Sequence, residues 1–167
     1  MTHFIQNGVF HADPNPGNYL VLSDDRLGVV DFGCIKTVAP TFPQQLQTLF
    51  CAHLAHNKDL TREIYAQLGV IPKVILEDSQ KFDSAIAPFQ SWIILPFQSQ
   101  YFDFGQHPNY IGSRLMDSLQ SAMTAMDNTT SDFVMFDRTY IGILSLLIKL
   151  KARVKMQALL DAAAPTP

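Results

Sequence analysis

The spacing of apolar residues changes once along this chain, close to Pro40. Before it, residues 19–23 and 26–30 form two short apolar runs separated by the acidic pair Asp24 and Asp25. Short aliphatic runs on either side of a tight turn predict a β-hairpin. After Pro40 the apolar residues recur at helical spacing. The pattern therefore predicts a mainly α-helical protein with one short β-hairpin near its start.

Capping residues mark the first two helices. Thr41 is predicted to cap one helix, and Asn57 is predicted to cap the next. Gly69 follows the second helix at the C′ position, where a left-handed glycine commonly ends a helix. The predicted apolar faces comprise Phe42, Leu46, Leu49, Phe50, His53 and Leu54 in the first helix, and Leu60, Ile64 and Leu68 in the second.

Further helices are predicted towards the C-terminus. Pro88 and Pro96 should break or kink the apolar stretch 72–98, because proline has no N–H to give to a helical hydrogen bond. A helix is predicted over residues 109–126, and Ser131 is predicted to start the last one. The buried stripe of that last helix is predicted to comprise Phe136, Tyr140, Leu144, Leu147 and Val154.

The chain of 167 residues is predicted to be one domain. Residues 1–40 would hold the hairpin and the motifs described below, residues 41–161 the helical bundle, and residues 162–167 a tail. An apolar fraction of 47% with only 16% charged residues excludes intrinsic disorder.

The net charge and the length of the apolar runs limit the kinds of partner that the sequence predicts. A net charge of -3 gives no electrostatic footprint for a nucleic acid. The longest apolar run, residues 140–148, is about half of the ~20 residues that a transmembrane helix needs, so none is predicted. We expect a cytoplasmic protein, with peripheral membrane contact through the last helix as an open alternative to a plain core helix. Basic residues at its end are Lys149, Lys151, Arg153 and Lys155.

Two motifs carry the chemistry. His11, Asp13 and Asn18 have the spacing of a kinase catalytic loop, H-x-D-x-x-x-x-N. Asp31 follows thirteen residues after Asn18 and begins the triplet Asp-Phe-Gly, which kinases place downstream of that loop. This pair of motifs predicts phosphoryl transfer.

The residue types fit that reaction. Magnesium prefers oxygen ligands, which the Asn18 amide and the Asp31 carboxylate can supply. Asp13 is the candidate base that takes the proton of an attacking hydroxyl, and His11 belongs to the same catalytic loop. Phe32 and Gly33 complete the predicted cofactor-binding triplet.

Residues 8–36, with FHADPNPGN followed by LVLSDDRLGVVDFGCIK, resemble the AarF/UbiB family of atypical kinases. The family hallmark is F-H-A-D-P-H-P-G-N and then D-F-G. The resemblance implies a protein-kinase-like fold, of which this chain would be the C-terminal lobe. It also implies ATP and Mg²⁺ as cofactors, with Asp13 as catalytic carboxylate and Asn18 and Asp31 as magnesium ligands, and a link to ubiquinone and other isoprenoid lipids.

The chain departs from the family pattern at Asn15, where the family usually has His, and at Asp25, where it usually has Gly. Only ten residues precede His11, too few for a nucleotide-covering N-lobe. We therefore expect a fragment, a split gene product or a lobe supplied by a separate chain.

Two other functions stay open at this point. An aminoglycoside-phosphotransferase-like kinase shares the loop spacing, although Ala12 and Gly33 argue against it. A catalytically silent module that binds lipid or a protein partner would also keep these loops.

Overall fold

The computed structural model describes residues 2–24, 26–112, 131–156 and 158. Most of the described chain is helical, as predicted. The α-helices are α1 (Thr2–Asn7), α2 (Thr41–Leu54), α3 (Lys58–Leu68), α4 (Lys73–Leu76), α5 (Ser79–Ile94) and α6 (Ser131–Lys149).

The described strands are short and form three antiparallel pairs. The pairs are β1 (Val9–His11) with β4 (Ile35–Thr37), β2 (Tyr19–Val21) with β3 (Leu27–Val29), and β5 (Phe102–Asp103) with β6 (Arg153–Val154). The predicted hairpin is β2–β3, in which Tyr19 pairs with Val29 and Val21 with Leu27. Asp24 holds its turn by accepting from the Arg26 backbone N–H at 3.3 Å and from Arg26 Nε at 2.7 Å.

We call the part of the chain before Pro40 the motif segment. The β1–β4 pair closes it into one loop. Phe10 pairs with Lys36, and His11 with Ile35. The chain that leaves β1 through the catalytic loop and the hairpin therefore returns beside its own start. No apolar alternation marks three-residue strands, which is why the sequence pattern missed β1 and β4.

The first two long helices follow the prediction, with one correction. Asn57 Oδ1 accepts from the Leu60 backbone N–H at 3.1 Å, and Gly69 ends α3 with a φ of 67°. Thr41 is not the cap of α2: it is the first helical residue, and Pro40 precedes it in the N-cap position.

The stretch 72–98 is broken rather than continuous, as predicted, although no break falls at Pro88. α5 continues through Pro88, and a break lies earlier, between α4 and α5. Asp78 explains the position of the break, because its side chain accepts from the Lys81 backbone N–H at 3.1 Å and starts α5. Pro96 does fall after the helix, in the 3₁₀ turn Leu95–Phe97.

Two predictions for the C-terminal part of the chain need correction. Residues 109–111 form a turn rather than a helix, and the helix predicted to 126 lies outside the described residues from residue 113 onwards. α6 ends at Lys149, so Val154 is not on its stripe but in β6. The chain leaves the helix at Lys151, which has a φ of 51°. The predicted tail, residues 162–167, also lies outside the described residues.

Among the described residues, two groups of buried side chains form the core. The first joins the segment before Pro40 to the helical body, since Phe4 and Val38 pack with residues of α2, α3 and α5. The second comprises Phe102, Phe104, Tyr110, Leu144 and Met156. α6 contacts both groups, through Phe136 and Leu144 respectively. In the described ranges, no helix combines the length and hydropathy needed to cross a membrane.

Candidate catalytic loop and Asp-Phe-Gly segment

The catalytic loop is short and internally braced. It leaves β1 at His11 and ends in the 3₁₀ turn Pro16–Asn18. Asn15 caps this turn, because its Oδ1 accepts from the Gly17 backbone N–H at 3.0 Å. Asparagine thus does local structural work at the position where the family usually has histidine.

Asn18 and Asp13 are brought together by this turn. Asn18 is buried, and its Nδ2 donates to Asp13 Oδ2 at 2.8 Å. The bond fixes the orientation of the amide, because only the nitrogen can donate to a carboxylate. The Asn18 oxygen is left as the group that can take a metal ion.

His11 and Asp31 are also brought together, across twenty residues of sequence. His11 Nε2 lies 2.5 Å from the Asp31 carbonyl oxygen. Because a carbonyl oxygen only accepts, Nε2 carries the proton in this bond. His11 therefore holds the backbone of the Asp-Phe-Gly triplet, and its own side chain is not free to bind a metal through Nε2.

The Asp-Phe-Gly triplet forms a tight turn. Asp31 Oδ1 accepts from the Gly33 backbone N–H at 2.7 Å, which holds the carboxylate beside its own backbone. A Cβ at Gly33 would lie 3.1 Å from that same oxygen, so glycine keeps the carboxylate uncrowded. Phe32 is 65% exposed, and its ring meets the His11 ring edge-on at 6.3 Å.

The two motifs are joined by backbone contacts. The Val30 N–H, directly before Asp31, donates to the Asn18 carbonyl oxygen at 3.0 Å. The Ala12 N–H donates to the Cys34 carbonyl oxygen at 2.8 Å. The segment carrying Asp31 is therefore bonded to the segment carrying Asn18.

Tyr19 is a neighbour of the site that the sequence pattern did not single out. Partial burial and the negative charge of Asp13 raise the pKa of its phenol. Its ring also meets the His11 ring edge-on at 6.2 Å. The available sequence signal is its position directly after Asn18, at the start of the predicted hairpin.

The donor set suits magnesium better than a transition metal. No group of three or more His, Cys, Asp and Glu side chains is arranged for a metal among the residues with described positions. Asn18 and Asp31 together offer hard oxygen atoms, and magnesium in phosphoryl-transfer sites takes few protein ligands, with phosphate and water supplying the others. The oxygen donors of Asn18 and Asp31 therefore have the chemistry that Mg²⁺ prefers.

Beside the site lies an exposed apolar surface, which we call the hairpin patch. It covers the β2–β3 hairpin and the adjoining Asp-Phe-Gly segment. Apolar patches on a protein surface commonly mark a binding site when they are contiguous. The patch comprises Leu20, Val21, Leu22, Leu27, Val30, Phe32 and Ile35, each between 39% and 65% exposed.

Comparison with solved structures shows the fold. The chain is similar to Rv3197 of Mycobacterium tuberculosis, whose structure was solved in complex with erythromycin, with a TM-score of 0.65 at 22% identity. The match covers 95% of this chain and 40% of that one. With the motif geometry above, the predicted fold class is confirmed: a mainly α, kinase-like C-terminal lobe with a short β-hairpin.

The start of the chain matches the model of a known protein family. Residues 1–65 match the model of the ABC1 atypical kinase-like domain. The chain is 32% identical over 79 residues to the Arabidopsis thaliana protein ACTIVITY OF BC1 COMPLEX KINASE 3, chloroplastic. It is 45% identical over 40 residues to the uncharacterized protein sll0005 of Synechocystis. These matches support the predicted resemblance to the AarF/UbiB-type atypical kinases.

The matched segments are short relative to the proteins they match. They cover 44% of this chain and 10% of the Arabidopsis relative, and 24% of this chain and 6% of the Synechocystis relative. The family match begins with the motifs and continues through α2 into α3.

Proposed function

We propose that this chain provides the magnesium- and phosphate-binding half of an ATP-dependent phosphotransferase or ATPase. The observation that supports the proposal best is the pair of bonds that orients the two oxygen donors. Asn18 Nδ2 on Asp13 leaves the amide oxygen available, and the Gly33 N–H on Asp31 holds the second carboxylate. Such pre-positioning is what a site needs when it works mainly by orientation and charge.

Each residue has a role in this proposal. Asn18 and Asp31 hold Mg²⁺, which neutralises the charge of the transferred phosphoryl group when bound. Asp13 accepts a proton from the attacking hydroxyl or water, and its bond to Asn18 keeps the carboxylate facing the metal ligands. His11 holds the Asp-Phe-Gly backbone, and Phe32 and Gly33 shape the edge of the nucleotide site.

The hairpin patch supports a partner for this half-site. We propose that the patch is covered by the nucleotide-covering lobe of the kinase-like fold, supplied by the same or a separate polypeptide. The lobe is the occupant we favour because the structural neighbour has more than half of its chain outside the match. A role in isoprenoid lipid metabolism is supported only by the resemblance to the AarF/UbiB family.

A calorimetric titration with Mg²⁺-ATP tests the proposal. We expect weak binding to this chain alone, with a Kd of roughly millimolar, equivalent to about 4 kcal/mol. Asp31→Asn should abolish the magnesium-dependent part of that binding, because it removes the charge at the ion. Asp24→Asn is the matched control: the same chemical change on the exposed hairpin turn should leave the affinity unchanged.

The results separate the proposal from its rival. Equal losses in Asp31→Asn and Asp24→Asn, or binding that is unchanged by removing Mg²⁺, would contradict the ligand assignment. No binding at any ATP concentration would favour the second candidate function, a silent interaction module, for which the hairpin patch is the supporting feature.

A further inference from the structure

We infer that Gly142, in the middle of α6, is a positioning residue for the catalytic loop, because its lack of a side chain lets Pro14 lie directly against the helix. The consequence for nucleotide binding rests on the proposed function, whereas the contact itself does not. Gly142 is 128 residues away from Pro14 in the sequence and belongs to none of the kinase motifs.

The contact leaves no room for any side chain at this position. A Cβ built on Gly142 would overlap both Cβ and Cγ of Pro14, and only Pro14 Cα, at 3.7 Å, would stay at an ordinary distance. The pyrrolidine ring is closed on its own backbone, so it cannot rotate away as a flexible side chain could. Either the loop or the helix must move if residue 142 gains a methyl group.

The helix is the part that is held more firmly. Leu144 is 2% exposed in the second core group, and the buried Thr139 lies one turn before Gly142. Phe136 stacks on Phe4 at 5.3 Å and meets Phe10 edge-on at 6.3 Å. A displacement should therefore fall on the loop.

A displaced Pro14 would carry the metal ligands with it. Pro14 is bonded directly to Asp13, whose carboxylate accepts from Asn18 Nδ2 at 2.8 Å. Only Asn15 separates Pro14 from the 3₁₀ turn that ends at Asn18. Few bonds in this segment could absorb the shift, since Pro14 and Pro16 both have fixed φ angles.

The direction in which Gly142→Ala changes the unfolding temperature distinguishes a positioning residue from a helix glycine without such a role. Glycine lowers the stability of a helix interior relative to alanine, so Gly142→Ala at an uncrowded position would raise the unfolding temperature. If Gly142 positions the loop, the same substitution should instead disturb the site and fail to stabilise the chain.

The test is a ¹H–¹⁵N NMR comparison without nucleotide, combined with thermal unfolding. Gly142→Ala should shift the side-chain amide signals of Asn18 and the backbone amide of Gly17, and should not raise the midpoint of unfolding. Val134→Ala, at an exposed position of the same helix, should leave both loop signals in place.

A rescue pair makes the test specific for the contact. Pro14→Gly removes both atoms that the new methyl group would meet, whereas Pro14→Ala leaves the overlapping Cβ. Adding Gly142→Ala to Pro14→Gly should therefore produce no further shift, and adding it to Pro14→Ala should still produce one. This comparison also applies if Gly142→Ala alone does not fold, since Pro14→Gly should then restore folding.

Either of two results would overturn the inference. The first is that the Asn18 signals are unchanged in Gly142→Ala. The second is that Gly142→Ala has the same effect in the Pro14→Gly background as in the wild type. Because these readouts need no ligand, they stand even if the wild-type chain fails to bind Mg²⁺-ATP. Where the wild type binds, Gly142→Ala should weaken Mg²⁺-ATP about tenfold or more, and Pro14→Ala/Gly142→Ala should not recover it.

Discussion

The motif segment before Pro40 and the helical body after it hold their side chains by different means. In the motif segment, polar side chains bond to backbone groups, as His11 does to Asp31 and Asn15 does to Gly17. Its apolar side chains divide into two sets: those of the hairpin patch are exposed, whereas Phe4 and Val38 are buried in the first core group. In the body, aromatic and aliphatic side chains bury one another, as Phe82 and Phe104 do with 1% and 0% exposure.

This difference separates the source of stability from the place of chemistry. Buried apolar area supplies most of the free energy of folding, so the body should carry the stability of the chain. In the motif segment, the hairpin patch leaves apolar surface exposed, and hydrogen bonds hold the polar side chains in defined directions. Its attachment to the body, through α6 and the first core group, then decides how well the site is placed.

The largest expected difference between the two regions comes from truncating one phenylalanine in each. Phe82→Ala should lower the free energy of unfolding by about 3–5 kcal/mol, because it leaves a cavity in the first core group. Phe32→Ala, in the exposed patch, should change it by no more than about 0.5 kcal/mol. Urea unfolding followed by circular dichroism measures both, and similar losses from the two variants would refute the division.

The second prediction concerns the pH dependence of the body. His53 is fully buried, and burial, with the nearby His56, lowers its pKa from 6.5 to about 4. The unfolded chain therefore binds a proton at His53 below pH 6.5, which the folded chain does not take up until about pH 4. Stability should fall as pH drops through this window, by up to about 3 kcal/mol, and be fully present above pH 6.5.

Urea unfolding at pH 7 and at pH 4.5 measures this loss. His53→Gln should show a smaller difference between the two pH values than the wild type, although it also loses the hydrogen bond to Tyr65 Oη, 3.0 Å away. An equal pH difference in both proteins would assign the acid sensitivity to other groups.

The smallest expected effect concerns the connection between the two regions. The Lys36 ammonium lies 3.0 Å from Asp132 of α6, and Asp132 also accepts from the Ala39 N–H at 3.3 Å. Both side chains are partly buried, so Asp132→Ala should cost about 1 kcal/mol of stability. Asp83→Ala, which breaks the more exposed pair with Lys58, is the matched control and should cost less than about 0.5 kcal/mol.

Unfolding measured at low and high salt extends this comparison. The loss from Asp132→Ala should persist in salt better than the loss from Asp83→Ala, since buried pairs are screened less. The reverse order would show that the Lys36–Asp132 pair contributes nothing to the attachment.

Local features were readable from the sequence because their causes are local. The hairpin followed from two short apolar runs and an acidic turn, and Asn57 and Gly69 marked the ends of α3 through their own backbone preferences. The kinase-like motifs depended on spacing within residues 11–33. Side-chain identity and a few neighbouring residues were sufficient to predict each of these features.

The tertiary structure alone decided how distant segments meet. Pro88 suggested a break in α5, yet the helix continues through it, with Phe82 buried before it and Ile93 and Ile94 buried after it. Val154 continued an apolar stripe in the sequence, yet the chain turns at Lys151 and pairs it with Phe102 instead. Gly142 had no local signal at all, because its role depends on Pro14, and contacts between residues so far apart leave no periodicity in the sequence.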